Sequence, residues 1–155
     1  MYAYQLFDKL KDQAQSAYNR LGNDAVGNLG ENLFYELCDI GFGDQNAVEL
    51  IYGGFACVAC NDGKVSYDEF RAFATFLKKE PNFNYDQFFN IMSMFNKQQR
   101  RDRTIDLFNS INDADIALGF VLLCVTTCIV DNRLHENEEI FCTSLCEVYL
   151  NRFEY

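Results

Sequence analysis

The chain has 155 residues, a formal net charge of −10, a pI near 4.4, 49% hydrophobic and 15% aromatic residues, a single proline and no tryptophan. Its length suits one domain with a substantial core, and its apolar fraction argues against disorder. The acidic balance argues against a nucleic-acid partner, whose phosphates most of the surface would repel, and suits cations or basic partners.

The first element in chain order is a helix carrying the apolar stripe Tyr4, Phe7, Leu10, Ala14, Ala17, Tyr18 and Leu21, with Asp8, Lys9, Lys11, Asp12 and Gln15 opposite. Gly22-Asn23-Asp24 stops it, Gly27 and Gly30 loosen the next stretch, and helical spacing resumes from Glu31 to Ile40. Gly41-Phe42-Gly43 ends that helix, and Asp44 or Asn46 is placed to cap the next, which runs through Val48, Leu50, Ile51, Phe55, Ala56 and Val58. Gly53-Gly54 within it marks a close backbone approach or a kink.

A tight acidic turn follows, Asn61-Asp62-Gly63-Lys64-Val65-Ser66-Tyr67-Asp68-Glu69. Gly63 supplies a left-handed residue, Val65 pins the loop to the core, and Ser66-x-x-Glu69 is a capping box. The helix from Tyr67 to Lys79 ends ahead of Pro81, and Asn84-x-x-Gln87 opens another, rich in large apolar residues up to Phe95. The basic run from Lys97 to Arg103 reads as a solvated helix end and linker, and Thr104 to Ile111 as a short amphipathic helix. Asn112-x-x-Asp115 starts the most apolar helix, Ile116 to Val130. That run is interrupted by Gly119, Thr126 and Thr127 and falls short of the roughly 20 residues a bilayer needs, so it reads as a central helix of a chain that does not itself span a membrane.

A second acidic turn, Asp131-Asn132-Arg133-Leu134-His135-Glu136-Asn137-Glu138, repeats the first, with His135-x-x-Glu138 as a weaker capping box. The last helix, Glu136 to about Arg152, places Ile140, Phe141, Leu145, Val148 and Tyr149 inward. No strand pattern competes.

Seven cysteines, an odd number, with no secretion signal at Met1-Tyr2-Ala3-Tyr4-Gln5, read as reduced thiols of a cytoplasmic protein. Cys57-x-x-Cys60, Cys124-x-x-x-Cys128 and Cys142-x-x-x-Cys146 have ligand-compatible spacing, but each pair lies one helical turn apart on an apolar stripe, which favours core packing over zinc or redox work. The aromatic residues at the chain ends, Tyr2, Tyr4, Phe153 and Tyr155, would be ordered by docking, and a tail-mediated homodimer is one way to dock them.

An apolar helix followed by Asp-Gly-x-Val-x-x-x-Glu at Asp62 to Glu69, repeated as Asp-x-x-Leu-x-x-x-Glu at Asp131 to Glu138, resembles the tellurite-resistance TerB-like family. The resemblance implies an all-α fold, a compact bundle of about seven to eight helices with an internal pseudo-two-fold repeat of helix–loop–helix units. It spans roughly Ala47 to Tyr149, so within the single domain of residues 1–155 that length suggests, 44–155 is the TerB-like core and 1–43, which the resemblance does not cover, an added N-terminal helical arm. It also implies a non-enzymatic role in metal or envelope stress, exercised through protein partners that include membrane-associated ones. The positions carried over are Asp62, Glu69, Asp131 and Glu138. Departures concentrate in the second unit, where Asn132 replaces glycine, His135 and Glu136 follow, and the apolar face shifts so that Glu139 stands opposite Phe70.

An EF-hand is the rival calcium reading, and it fails at the front of the loop. Its first and third positions would be Val58 and Cys60, or Thr127 and Ile129, none of them the carboxylates that hard cations require there. A site pooled from both turns would still join four carboxylates, enough for weak Ca²⁺ or Mg²⁺ binding. Against it stands the reading of the same acids as turn and cap residues, which makes the protein a purely structural helical adaptor or oligomerisation domain with no metal site. No nucleophile–base set and no phosphate loop is present, so an enzyme is not expected.

Overall fold

The computed structural model describes residues 1–59, 96–130 and 136–153, and among these it consists of six helices and no strand. Helix α1 (Ala3–Leu21) buries Leu6, Phe7, Leu10 and Ala14, one face of a helical repeat. Gly22, at φ 60°, turns the chain out of it and donates its N–H to the Tyr18 carbonyl at 2.8 Å.

Helix α2 (Asp24–Asp39) starts seven residues earlier than Glu31, the start expected from sequence. Gly27 and Gly30 do not loosen the chain; they sit inside the helix on the buried stripe of Val26, Leu33, Phe34 and Leu37. Each glycine costs a helix about 1 kcal/mol in propensity, and burial of that stripe outweighs the cost. Gly41 and Gly43, at φ 79° and 92°, then reverse the chain as expected.

Helix α3 (Asp44–Ala59) has Asp44 as its first residue, where the carboxylate accepts the Cys38 thiol at 3.2 Å, while the Asn46 amide donates to the Phe42 carbonyl at 3.2 Å. Ala47, Leu50, Ile51, Tyr52, Ala56 and Val58 have no exposed surface, so the helix is enclosed by its neighbours. Gly53 and Gly54 mark a close approach. A Cβ on Gly53 would lie 2.5 Å from Thr104 Oγ1, and one on Gly54 would lie 2.7 Å from the Phe120 ring.

Helix α4 (Lys97–Asn109) corrects the linker part of the reading of residues 97–103, which form the solvated start of a helix with Lys97, Gln98, Gln99, Asp102 and Arg103 exposed. Asn96 and Gln99 form a reciprocal capping box at 2.9 and 3.0 Å, which starts the helix ahead of the basic run. Arg100, Thr104, Leu107 and Phe108 then fall on the buried face. Helix α5 (Ala114–Val130) is capped by Asp113 rather than by Asn112: the Asp113 carboxylate accepts the N–H groups of Asp115 and Ile116 at 3.0 and 3.1 Å. The hydroxyls of Thr126 and Thr127 are absorbed by the carbonyls of Leu122 and Leu123, four residues back, at 2.7 and 2.8 Å.

Helix α6 (Glu136–Phe153) buries Glu138, Phe141, Cys142, Leu145, Cys146 and Leu150. Ile140, expected inward, is 51% exposed. It lies two residues from both Glu138 and Cys142, about 200° round a helix of 3.6 residues per turn, which puts it on the opposite face. Val148 and Tyr149 are half-buried at the margin.

α5 is the axis of the assembly, in contact with α1, α2, α3 and α6, while α4 packs on α3. One hydrophobic core draws on all six helices. Among the described residues no helix is long and apolar enough to cross a membrane. The turn residues Asp62, Glu69 and Asp131, and with them the expected pseudo-two-fold relation, lie outside the described residues.

Candidate functional site

Of the four carboxylates named from sequence, Glu138 is within the described residues, and it is 1% exposed. As the third residue of α6 it stands just past residues 131–135, with its side chain on the stripe that faces the core. One helical turn on is Cys142, whose thiol feels the Glu138 charge.

Cys142 belongs to a cluster of five buried thiols: Cys57 from α3, Cys124 and Cys128 from α5, and Cys142 and Cys146 from α6. Cys128 Sγ and Cys142 Sγ are 3.6 Å apart in a thiol–thiol hydrogen bond. Burial pushes Cys57 up to about 11 from the ordinary thiol value of 9.0, although a hydrogen bond to Thr104 and the charges of Arg100, Arg101 and Lys97 pull it down. Burial alone pushes Cys146 up to about 12. Burial also raises Cys124, with added repulsion from Cys128, Cys57 and Cys146. For Cys142 the hydrogen bond with Cys128 acts to lower the pKa; burial and the charges of Cys124, Cys146 and Glu138 together raise it further, and the net shift is upward. The expectation that these cysteines pack in the core is met in that all five are buried and burial keeps them protonated near neutral pH. Cys60 lies outside the described residues, and Cys38 is half-buried.

The basic run forms the other wall of this end of the bundle. Arg100 is 6% exposed, and the Arg101 guanidinium lies 5.8 Å from the Phe141 ring centroid, a cation–π contact between α4 and α6. Arg103 pairs with Glu49 through two hydrogen bonds of 2.7 and 3.2 Å, joining α4 to α3. Arg101 and Arg103, two of the seven residues in the run, thus fasten α4 to its neighbours.

A separate open cleft lies where residues 40–42 meet residues 110–113, lined by Ile40, Gly41, Phe42, Ser110, Asn112 and Asp113. Its one carboxylate, Asp113, is committed to capping α5. Among the described residues no three His, Cys, Asp or Glu side chains are arranged to hold a metal ion. Sequence reasoning named the cysteine pairs within each helix and missed the contact between helices. The available signal was the matched four-residue spacing in Cys124/Cys128 and Cys142/Cys146, on two helices joined by residues 131–135. No protein-family model, curated protein or solved structure matches the chain.

Proposed function

We propose that the protein is a non-catalytic, TerB-like interaction module of the cytoplasm that works through protein partners in metal or envelope stress, and that its acidic turns bind Ca²⁺ or Mg²⁺ weakly. The observation that carries this reading is the burial of Glu138 at the head of α6. A carboxylate withdrawn from water needs compensating charge or hydrogen bonds, and the position is the one where the TerB-like resemblance puts an acid. The proposed donors, Asp62, Glu69, Asp131 and Glu138, are all carboxylates. Oxygen donors of that kind suit a hard divalent cation rather than a soft one.

One feature favours a second reading. Glu138 is the third residue of α6, where a capping-box glutamate reaches back to the start of its own helix, and on that reading the protein is a structural adaptor. Thermal melts separate the two. With millimolar Ca²⁺ or Mg²⁺ the native protein should melt higher than in chelator, since ligand at 100 times its dissociation constant adds about 2.7 kcal/mol. An Asp62→Asn, Asp131→Asn double variant should melt above native in chelator and lose the cation response. No shift in the native protein, or a double variant merely destabilised in chelator, assigns the acids to capping.

A further inference from the structure

The contact between Cys128 and Cys142 joins two helices that already pack on one another, and its sulfurs are 3.6 Å apart. From this contact we propose that Cys128 and Cys142 form a redox pair, oxidised by hydrogen peroxide or another small hydroperoxide to a disulfide that staples α5 to α6.

The geometry favours this pair over the other thiols. A disulfide bond is about 2.05 Å long, so the sulfurs need to close by roughly 1.5 Å, a distance that small side-chain adjustments cover. Among the described residues, Cys128 and Cys142 are the cysteines in direct sulfur–sulfur contact. Cys124 and Cys146 are packed in the same core. The hydrogen bond holds each sulfur beside the other, so oxidation of either thiol, Cys142 in the steps that follow, leaves its partner in reach. Both residues have no exposed surface, so the oxidant has to be small and uncharged to enter.

The chemistry balances with two electrons. The Cys142 thiol gives up its proton, and its sulfur attacks one peroxide oxygen. The O–O bond breaks, and the departing hydroxide takes that proton as water, leaving a sulfenic acid on Cys142. Cys128 sulfur then attacks the sulfenic sulfur, the S–O bond breaks, and hydroxide leaves with the Cys128 proton as a second water. Two thiols and one peroxide become one disulfide and two waters. The bridge encloses residues 129–141, the second acidic turn among them, and its formation does not depend on whether that turn binds a cation.

The test exposes the full native chain to millimolar hydrogen peroxide at neutral pH, quenches with catalase, blocks the remaining thiols after denaturation, and maps peptides without reduction. The expected result is a mass loss of two hydrogens, a Cys128–Cys142 linkage in the fragment spectra, and a melting temperature raised by roughly 5–10 °C that dithiothreitol reverses. Cys128→Ala and Cys142→Ala should each abolish the linkage and the rise; Cys57→Ala should keep both. A bridge between other cysteines, oxygen addition without a bridge, or buried thiols still free after peroxide has consumed free cysteine under the same conditions would overturn the proposal. Should an alanine variant fail to fold, the peptide map of the native chain decides alone.

Discussion

Arg152, in the last turn of α6, donates to the carbonyl of Ile111 at 2.6 Å and to that of Phe108 at 3.2 Å. These carbonyls lie at and just past the C-terminal end of α4, where a helix leaves acceptors unsatisfied and the dipole is negative, so a guanidinium satisfies both needs together. The same group lies 4.7 Å from the Phe153 ring centroid. Arg152→Met, which keeps much of the aliphatic bulk and removes the donors, should cost about 2 kcal/mol in urea unfolding, within the range for hydrogen bonds to charged groups. An unchanged midpoint would mean that water replaces the guanidinium at no cost.

Three helical glycines should respond to alanine in opposite directions. Gly54→Ala drives a methyl to 2.7 Å from the ring of Phe120, which has no exposed surface and no room to retreat, and should destabilise by about 1–3 kcal/mol. Gly53→Ala meets the Thr104 hydroxyl at 2.5 Å, and that hydroxyl is already committed to the Arg100 carbonyl at 2.8 Å. It should also lose stability. Gly119→Ala meets only Leu33 Cδ1 at an ordinary 3.9 Å and should gain up to about 1 kcal/mol from helix propensity. Chemical denaturation of the three variants checks the order.

The buried thiols make stability fall at alkaline pH. In the folded chain Cys57 ionises only near 11 and Cys146 only near 12, whereas an unfolded thiol ionises at its ordinary 9.0. Below pH 9 both states are protonated and the contribution of these groups is complete. Above it the unfolded state sheds protons first, and stability declines by up to about 1.4 kcal/mol per pH unit per thiol until the folded values are passed. Denaturation midpoints measured from pH 7.5 to 10.5 should bend downward near 9, and Cys57→Ala should soften the bend.

Several elements were legible in the sequence because local physics and tertiary packing agree there. The α1 stripe from Phe7 to Ala14, the apolar run of α5 and the glycine stop at residues 41–43 all fall where the periodicity put them. Gly53-Gly54 proved to be a close approach, one of the two readings that two adjacent glycines allow.

The misreadings arose where a distant contact overrode a local preference. Gly27 and Gly30 are weak helix formers, held in α2 by the stripe they share with Leu33 and Leu37. Arg101 looks solvated until Phe141, forty residues later, supplies a ring to stack on. For the candidate site, Glu138 could be named from its motif, but its burial follows from sharing a face with Cys142 and Leu145, whereas Ile140 is the more apolar residue and faces outward. Asp62, Glu69 and Asp131 lie outside the described residues.

The central position of α5 has a consequence for synthesis on the ribosome. The apolar faces of α1 and α2 rest chiefly on a helix that begins at Ala114, some ninety residues after α1 ends. At a translation rate of about 5–20 residues per second, those faces wait roughly 5–20 s for their partner to be made. During that interval Leu6, Phe7, Leu10, Leu33 and Leu37 are open to any other apolar surface nearby. The nascent chain is thus most in need of a holding chaperone before α5 emerges, and α6, which also packs on α1, completes the cover.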